Sequence, residues 1–338
     1  MKSGFVTTLI DVIYYIYGFI VDCCTAIVWI SMAMRSKKTD SVACLVGKTA
    51  IVTGGNSGIG YATSLLLASR GCRVIIGCRS DAEKEVAQII EQTGNSNITA
   101  KRLDLCSLKS VRDFANHIKS SEKKIDILIN NAGITRRDDI VSPDGLNSVM
   151  QTNYFGHFLL THLLLEPLKV SGSARVVFLS SVAAYAHSLS LNKLNSTKVN
   201  TERSILSIYY TNSKVCAIIA AQEFAKKMRK YGIMVNSADP GIAFTPIMDQ
   251  IVDIAKRDLF MKFTLKSLAG PILKDSIEGA QTSFHLVSSE NLKEETGEHY
   301  FRCRRFNKPY ILRNQKLITN IWKRTEELVQ LTSTEKLQ

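Results

Sequence analysis

Short apolar runs alternate with amphipathic stretches along the chain from Val46 onward. Five runs are predicted to be buried strands: KTAIVT (48–53), RVIIGC (73–78), DILI (126–129), RVVFLS (175–180) and IMVNSA (233–238). Residues 58–70 and 81–93 have the pattern of helices between strands. Because parallel neighbours need a connection of a dozen or more residues, this alternation predicts an α/β class with a single doubly wound parallel sheet.

The first 38 residues have a different pattern. Residues 12–34 form an apolar run whose only charge is Asp22, and at about 1.5 Å per helical residue it is long enough to cross a hydrocarbon layer of about 30 Å. The run is longer than the core of a secretory signal and lacks a cleavage site, so we expect it to be retained as a membrane-anchor helix. Asp11 and Asp22 disfavour full insertion, which leaves a helix lying in the membrane interface as the alternative.

Positive charge is concentrated on one side of this apolar run. Arg35, Lys37 and Lys38 follow it, whereas Lys2 and the amino terminus precede it. The positive-inside rule therefore places the rest of the chain in the cytosol. The sequence predicts two parts, an anchor with a basic flank over residues 1–38 and an α/β domain over residues 39–338.

Charge and cysteine content limit the classes of function. The chain has a net charge of +13 and eight cysteines, without a C-x-x-C pair or metal-ligand spacing, so we predict reduced thiols and no metal site. Basic residues cluster in residues 226–230 and 302–308, without a zinc-finger, RNP or bZIP pattern. They are interpreted as solvated or membrane-facing surface, and nucleic acid is not expected as a partner.

A glycine-rich loop, TGGNSGIG (53–60), joins the first predicted strand to the first predicted helix. Glycines let the backbone turn tightly and approach a pyrophosphate, which the N–H groups at a helix start can bind. The position of the loop in the first strand–helix unit indicates a dinucleotide site. Arg79 ends the second strand, where an arginine accommodates the 2′-phosphate of NADP(H); Asp81 keeps NAD(H) as the alternative.

Several motifs stand together in one order along the chain. They are the glycine loop, LDL (103–105), NNAG (130–133), NYFGHF (153–158), the serine pair 180–181, Tyr-x3-Lys (210–214) and PG (240–241). With these motifs the chain resembles the short-chain dehydrogenase/reductase family over residues 45–325. The resemblance implies a Rossmann-type domain and hydride transfer between a nicotinamide cofactor and an alcohol or carbonyl substrate.

The spacing of the Tyr-x3-Lys motif selects one of two adjacent tyrosines. Tyr210 shares a helix face with Lys214, whereas Ser213 stands at that spacing from Tyr209. The resemblance implies that Tyr210 is the catalytic acid/base and that Lys214 bonds the nicotinamide ribose. We expect the Lys214 ammonium and the positive nicotinamide to lower the pKa of Tyr210. Tyr209 is interpreted as a packing or substrate-wall residue.

The resemblance also assigns two further catalytic residues and the cofactor contacts. Ser181, rather than Ser180, steadies the substrate oxygen, and Asn153 holds a proton-relay water through its backbone. Asp104 and Leu105 contact the adenine. The full set of predicted cofactor-binding residues is Gly54, Asn56, Ser57, Gly58, Ile59, Gly60, Arg79, Asp104, Leu105, Asn131, Ala132, Gly133, Tyr210, Lys214, Pro240, Gly241 and Thr245.

The segment between Ser181 and Tyr210 is longer than in soluble members of the family, with an insertion over residues 187–203. Long forms occur in the membrane-bound, retinol-dehydrogenase-like branch, which implies an endoplasmic-reticulum membrane and a lipophilic substrate. Short strings such as SGSARVV, DPG and NQKLITNIW resemble members that act on polyprenols more than retinol dehydrogenases proper. The expected substrate is therefore an isoprenoid alcohol or aldehyde, with retinol, a steroid or a fatty aldehyde as alternatives.

Two further alternatives remain from the sequence. A cofactor-sensing membrane scaffold would be a function without catalysis, but it has no need for all four of Asn153, Ser181, Tyr210 and Lys214. The family often dimerises through its longest helices, and the apolar stretch VCAIIAAQEFA (215–225) fits either a core or a homodimer interface.

Overall fold

The computed structural model describes residues 39, 41–135, 140–197, 207–241 and 275–337. Its strands are β1 (Thr49–Thr53), β2 (Arg73–Cys78), β3 (Ile98–Arg102), β4 (Ile127–Asn130), β5 (Arg175–Leu179), β6 (Met234–Asp239), β7 (His299–Phe301) and β8 (Arg304–Arg305). Its α-helices are α1 (Gly58–Ala68), α2 (Glu83–Thr93), α3 (Leu108–Ser121), α4 (Ser148–Met150), α5 (Gly156–Leu163), α6 (Leu165–Ser171), α7 (Ile208–Met228), α8 (Ser276–Ser288) and α9 (Gln315–Leu328). A π-helix, Gln151–Phe155, joins α4 to α5.

The described strands form one sheet in the order β3-β2-β1-β4-β5-β6-β7-β8. Neighbours from β3 through β7 pair in parallel, and β8 pairs antiparallel with β7. This is the doubly wound sheet predicted from the alternation of strands and helices, so the predicted fold class is confirmed. The strand order reverses between β1 and β4, and in such sheets ligands bind at the carboxyl ends of the strands beside that reversal.

Both faces of the sheet are covered, because successive strand residues enter different cores. Ile51, Leu128 and Phe178 point into one core with α3, α5, α7 and α9. Their neighbours Val52 and Ile129 point into a second core with α1, α2 and α8. This alternation of two buried faces explains why the strands read as continuous apolar runs.

Two described strands of the parallel set were not predicted. The edge strand β3 has the sequence ITAKR, and its last two residues are exposed. β7 contains only three residues. Neither strand has the long apolar run of a central strand, so their pairing depends on a neighbour that is distant in sequence.

The long helix α7 lies inside the chain's own core. Its apolar stretch, including Val215, Ile219 and Phe224, is buried against the sheet and α9. The described residues contain no helix that is both long and apolar enough to span a bilayer. The predicted anchor lies outside the described residues, which begin at Thr39; there the backbone N–H bonds Gln281 on α8.

Candidate active site

The glycine loop lies where β1 ends and α1 begins. Gly54 and Gly58 have positive φ angles of 65° and 50°, a conformation that suits glycine. At Gly60 an added Cβ would lie 2.2 Å from the Gly54 carbonyl oxygen and 2.5 Å from Nδ2 of Asn131. Only glycine fits this position, so the loop can stay tight against β1.

The start of α1 is available for an anion. Ser57 occupies the N-cap position, but its side chain makes no capping hydrogen bond, and no acidic residue stands in the first turn. Ser57 is exposed and Ile59 is half-buried. The backbone N–H groups of this turn could therefore bind a phosphate, as a helix start favours.

The loop is fixed to β4 through Thr53. Its Oγ1 accepts hydrogen bonds from the backbone N–H groups of Asn131 (2.9 Å) and Ala132 (3.0 Å). The Asn131 side chain donates to the Thr53 carbonyl at 2.8 Å. The predicted residues of the NNAG motif thus lie directly beside the glycine loop, at the carboxyl ends of adjacent strands.

The predicted adenine end lies at the carboxyl ends of β2 and β3. Arg79 is exposed immediately after β2, and Asn56 Nδ2 donates to Ser80 Oγ at 3.2 Å. Asp104 is half-buried, and its carboxylate accepts from the Cys106 N–H at 2.9 Å. Leu105 is buried in the core beneath it. These residues lie at the carboxyl ends of β2 and β3, and the exposed Arg79 guanidinium is accessible to a phosphate.

Asn153 lies in the π-helix and connects three parts of the site. Its Oδ1 accepts from the Ile134 N–H at 2.8 Å, and its Nδ2 donates to the Ile134 carbonyl at 2.9 Å. The same Nδ2 lies 2.9 Å from Ser213 Oγ on α7. Single π-turns occur frequently at functional sites, and here the irregular turn joins the NNAG segment to α7.

Ser181, Tyr210 and Lys214 come together at the start of α7. Ser181 lies close enough to the Tyr210 hydroxyl to lower its pKa, and Lys214 Nζ lies 5.6 Å from the centre of the Tyr210 ring. Ser180 is separate, because its hydroxyl donates to the Lys214 carbonyl at 2.8 Å. The selection of Ser181 over Ser180 and of Tyr210 over Tyr209 as catalytic residues stays a prediction.

Lys214 is buried beside the NNAG segment and the end of β5. Its ammonium donates to the Leu179 carbonyl at 3.1 Å. An added Cβ at Gly133 would lie 3.3 Å from Nζ and 3.5 Å from Asn153 Oδ1. Burial lowers the pKa of Lys214 to about 8, and the Asp239 carboxylate acts in the opposite direction.

The expected lowering of the Tyr210 pKa is not found in the protein's own groups. Burial raises the pKa of Tyr210 to about 12, the nearby Ser181 lowers it, and the charge of Asp239 raises it. The prediction concerned the site with the positive nicotinamide bound and stays a prediction; in the chain alone, desolvation on burial is the largest effect on this pKa. The chain by itself keeps Tyr210 protonated at neutral pH.

Two polar residues of the site were not assigned a role from the sequence. His157 is buried, with Nε2 2.8 Å from Thr53 Oγ1 and Nδ1 3.0 Å from the Asn153 carbonyl oxygen. Burial lowers the pKa of His157 to about 4, so the neutral ring bridges the loop strand to the π-helix. The signal was its place four residues after Asn153, on the same helix face.

The second unassigned residue is Asp239, the last residue of β6. It is 2% exposed, and Oδ1 accepts from the Gly241 N–H at 2.8 Å. Pro240 is buried and Gly241 has a φ of 76°. Burial raises the pKa of Asp239 to about 7, although the Gly241 N–H, Lys214 and Arg302 all lower it. The signal was the aspartate of the DPG string.

The insertion after Ser181 is partly described. Leu189 and Leu194 pack into the core shared with α9, and Asn195 Oδ1 accepts from the Asn147 N–H at 2.8 Å. Residues 198–206 and the predicted nicotinamide contact Thr245 lie outside the described residues. The described part of the insertion is therefore a packed segment beside α4 and α9.

A nicotinamide dinucleotide fits these residues. The close approach at Gly60, the uncapped start of α1 and the absence of a side chain at Gly133 all suit a dinucleotide lying close to the backbone at the carboxyl ends of β1 and β4. The described residues contain no cluster of histidine, cysteine or carboxylate side chains suited to a metal ion. The site therefore combines the glycine loop with a half-buried serine, Ser181, and a buried tyrosine and lysine, Tyr210 and Lys214.

Comparisons with known proteins agree with this geometry. A family model described as short chain dehydrogenase matches residues 48–255, more than half of the chain. Retinol dehydrogenase 12 of Homo sapiens is 36% identical over 287 residues, which cover 84% of this chain and 87% of that protein. Retinol dehydrogenase 13 of Homo sapiens is 34% identical over 295 residues, which cover 86% and 87%.

A solved structure shares the fold. L-Sorbose reductase from Gluconobacter frateurii, complexed with NADPH and L-sorbose, has a TM-score of 0.61 at 20% identity, over 76% of this chain and 95% of that one. At this identity the likeness concerns the fold.

Proposed function

This chain belongs to the short-chain dehydrogenase family, in its retinol-dehydrogenase-like branch, and from that membership we propose that it interconverts a lipophilic alcohol and its carbonyl compound. It is an NAD(P)-dependent alcohol/carbonyl oxidoreductase. The observation that supports the proposed residue roles is the proximity of Ser181 to the Tyr210 hydroxyl, one helical turn from the buried Lys214.

In the proposed mechanism, Tyr210 moves the proton and Ser181 holds the substrate oxygen. Because the Tyr210 phenol stays protonated at neutral pH, it is ready to donate a proton to the oxygen of a carbonyl substrate. Ser181 can bond the same oxygen, since its hydroxyl already lies beside the phenol. In the alcohol direction, Tyr210 must act as a base, which requires nearby positive charge to stabilise its phenolate.

Lys214 and Asn153 position the cofactor and the proton pathway. Lys214 would hold the nicotinamide ribose and provide the positive charge beside Tyr210, and Gly54, Gly58 and Gly60 would hold the pyrophosphate. The bound nicotinamide supplies the hydride chemistry. The Asn153 side chain fixes the Ile134 backbone and Ser213, so that Gly133 and Lys214 stay next to each other.

Replacing Tyr210 tests this mechanism, with its neighbour as the matched control. We expect Tyr210→Phe to lower kcat by about 10³-fold or more, because it removes the acid/base, while the affinity for NADPH is kept. Tyr209→Phe removes a hydroxyl from the adjacent buried ring and should keep turnover. Full activity of Tyr210→Phe, or equal losses in both variants, would contradict the assignment.

NADP(H) is proposed as the preferred cofactor because Arg79 presents an exposed guanidinium at the end of β2. We expect Arg79→Ala to raise the KM for NADPH by about 10-fold or more, since it removes a charge-assisted hydrogen bond, and to leave the KM for NADH unchanged. Arg102→Ala, at the exposed end of β3, is the control. An equal change for both cofactors would refute this role of Arg79.

The proposed substrate is an isoprenoid alcohol or aldehyde of the polyprenol type. This proposal is supported by the short strings SGSARVV, DPG and NQKLITNIW. Retinol and retinal form the second candidate pair, which the names of the relatives favour. Turnover of a polyprenol/polyprenal pair and a retinol/retinal pair, each with NAD(H) and NADP(H), decides between them. A failure with both pairs, and with steroids and fatty aldehydes, would favour the non-catalytic scaffold.

We further propose that residues 1–38 anchor the protein in the endoplasmic-reticulum membrane, with the catalytic domain facing the cytosol. The apolar run 12–34 and the basic residues after it support this arrangement. Fractionation of cells that express the chain with and without residues 1–38 tests it: only the full chain should sediment with membranes. Cross-linking of the full chain tests whether it also forms a homodimer.

A further inference from the structure

A buried carboxylate lies beside the proposed proton-transfer residues, and the mechanism above does not use it. Asp239 ends β6, where it is 2% exposed. Its Oδ1 accepts a hydrogen bond from the Gly241 N–H. A carboxylate in this environment is costly to ionise unless positive charge lies close to it.

The sheet register places Asp239 next to Lys214. Lys214 Nζ bonds the Leu179 carbonyl on β5, and Leu179 pairs with Ala238 on the neighbouring strand β6. Asp239 is the next residue, and adjacent strands lie about 4.8 Å apart. The charge of Asp239 accordingly acts on both Lys214 and Tyr210.

Arg302 brings a second positive charge to the other side of Asp239. Phe301 pairs with Asp239 across β6 and β7, and Arg302 follows it in the two-residue turn that leads to β8. Arg302 is 5% exposed with a φ of 51°, and Cys303 has a φ of 59°. Such values are uncommon for residues other than glycine and asparagine. The turn therefore keeps an arginine buried at backbone cost.

The charged and titratable groups around Asp239 come from three elements. α7 contributes Tyr210 and Lys214, and β7 with its turn contributes His299 and Arg302. α8 contributes Glu278, which acts on Arg302. His299 is neutral near pH 7, because burial lowers its pKa to about 3. Among the described residues, Asp239 is thus the carboxylate whose charge favours the Lys214 ammonium.

We propose that Asp239 is a positioning residue for proton transfer: its buried carboxylate is the counter-ion that keeps Lys214 in the ammonium form, and it sets the pH range in which Tyr210 works. The proposal rests on the function proposed above. Burial drives Lys214 toward the neutral amine, which would neither attract the phenolate nor bind the ribose as a cation. Asp239 opposes this loss of charge from the neighbouring strand.

Loss of the Asp239 charge should shift the pKa values of Lys214 and Tyr210 in the same direction. Asp239 raises the pKa of Lys214 and the pKa of Tyr210. Removing its charge therefore lowers both pKa values. Carbonyl reduction needs a protonated Tyr210 and a charged Lys214. Without the Asp239 charge, the rate of carbonyl reduction should therefore start to fall at a lower pH than in the wild type. This direction does not depend on which residue limits the alkaline side of the profile.

The first test is the pH profile of kcat/KM for carbonyl reduction in Asp239→Asn. Asparagine keeps an oxygen that can accept from the Gly241 N–H, so the turn is preserved while the charge is lost. We expect the alkaline limb of the profile to move to lower pH by about one unit. Asp239→Glu keeps the negative charge, so its alkaline limb should lie close to that of the wild type. An unchanged limb in Asp239→Asn would overturn the proposal.

Asp126→Asn is the matched control, because Asp126 is also 2% exposed but lies at the opposite edge of the sheet. It should leave the limb in place even if the protein is less stable. An equal shift in both variants would show a general effect of losing a buried carboxylate, and would also overturn the proposal.

A binding measurement separates this proposal from the proposed function. The Kd of NADPH, followed by protein fluorescence against pH, reports the Lys214 charge without turnover. In Asp239→Asn the affinity should begin to fall at a lower pH than in the wild type. When Lys214 is replaced by arginine, adding Asp239→Asn should not change the pH dependence of the Kd of NADPH, because arginine does not deprotonate. Wild-type protein that binds NADPH without turning over any substrate would refute the function but still allow this test.

Discussion

Asp126 and Asp239 have the same side chain and the same 2% exposure, but opposite surroundings. Asp126 precedes β4 at the amino edge of the sheet. It accepts hydrogen bonds from the Thr49 N–H (2.9 Å), Ser171 (2.8 Å), Lys48 (3.1 Å) and Lys124 (3.2 Å). Asp239, at the carboxyl edge, accepts from the Gly241 N–H.

These surroundings give the two carboxyls opposite pKa shifts. Burial alone would raise the pKa of Asp126, but its hydrogen bonds and two lysines outweigh burial and hold the pKa below its usual value. For Asp239 the effect of burial is larger than that of its hydrogen bond and of the nearby cations, and the pKa is raised to about 7. Equal burial therefore does not imply an equal role: a fully bonded carboxylate supports the fold, and an under-bonded one beside reacting groups is suited to function.

The largest effect should come from removing the bonded carboxylate. Asp126→Ala leaves a buried Thr49 N–H without its acceptor and two lysines without their counter-ion. We expect the free energy of unfolding to fall by about 3 kcal/mol, with kcat and the KM for NADPH unchanged at a temperature where the protein is folded. Urea denaturation measures it. A loss below about 1 kcal/mol would mean that Asp126 is no more important than a surface charge.

The second prediction concerns stability at the functional carboxyl. Because the pKa of Asp239 is higher in the folded state than the usual value of about 3.9, the folded state binds more protons between pH 4 and 7, and the stability contributed by this group falls as pH rises through that window. Asp239→Asn removes this dependence. Its stability relative to the wild type should therefore increase by about 2 kcal/mol between pH 5 and pH 8.

Denaturation of both proteins at the two pH values measures this change, and Asp126→Asn is again the comparison. In the wild type the pKa of Asp126 is lowered in the folded state. The stability that Asp126 contributes is therefore present above its unfolded pKa and is lost as pH falls through its folded pKa. The two aspartates should thus respond to pH with opposite signs. A constant difference between Asp239→Asn and wild type would show that Asp239 is ionised as easily as an exposed carboxyl.

The smallest effect should come from removing one cation at the amino edge. Lys48 and Lys124 both bond Asp126, and each is 38% exposed. Lys124→Met leaves Lys48, Ser171 and the Thr49 N–H in place, so we expect a loss of less than about 1 kcal/mol in urea denaturation. The double replacement of Lys48 and Lys124 should cost more than the sum of the single changes, because the last cation is then lost. If the cost of the double replacement equals the sum of the two single costs, the two lysines do not act together on Asp126.

Features encoded within a few residues could be predicted from the sequence. The turn at Gly54 to Gly60 needs only local backbone freedom, and the Tyr210–Lys214 spacing needs only the period of a helix. Both lie where the sequence placed them. The central strands were also predicted, because each is a continuous apolar run between two cores. The short strands β3 and β7 lacked this signal and required their neighbours.

The sequence by itself determined the doubly wound fold, the tight turn of the glycine loop and the placement of Tyr210 and Lys214 on one helix face, because these depend on local periodicity and on glycine. Only the tertiary structure decided that His157 joins Thr53 to Asn153, that Asp239 lies between Lys214 and Arg302, and that the pKa of Tyr210 is raised. These features depend on contacts between different strands and helices, such as that between Thr53 and His157, or on burial, and both arise only when the strands and helices pack.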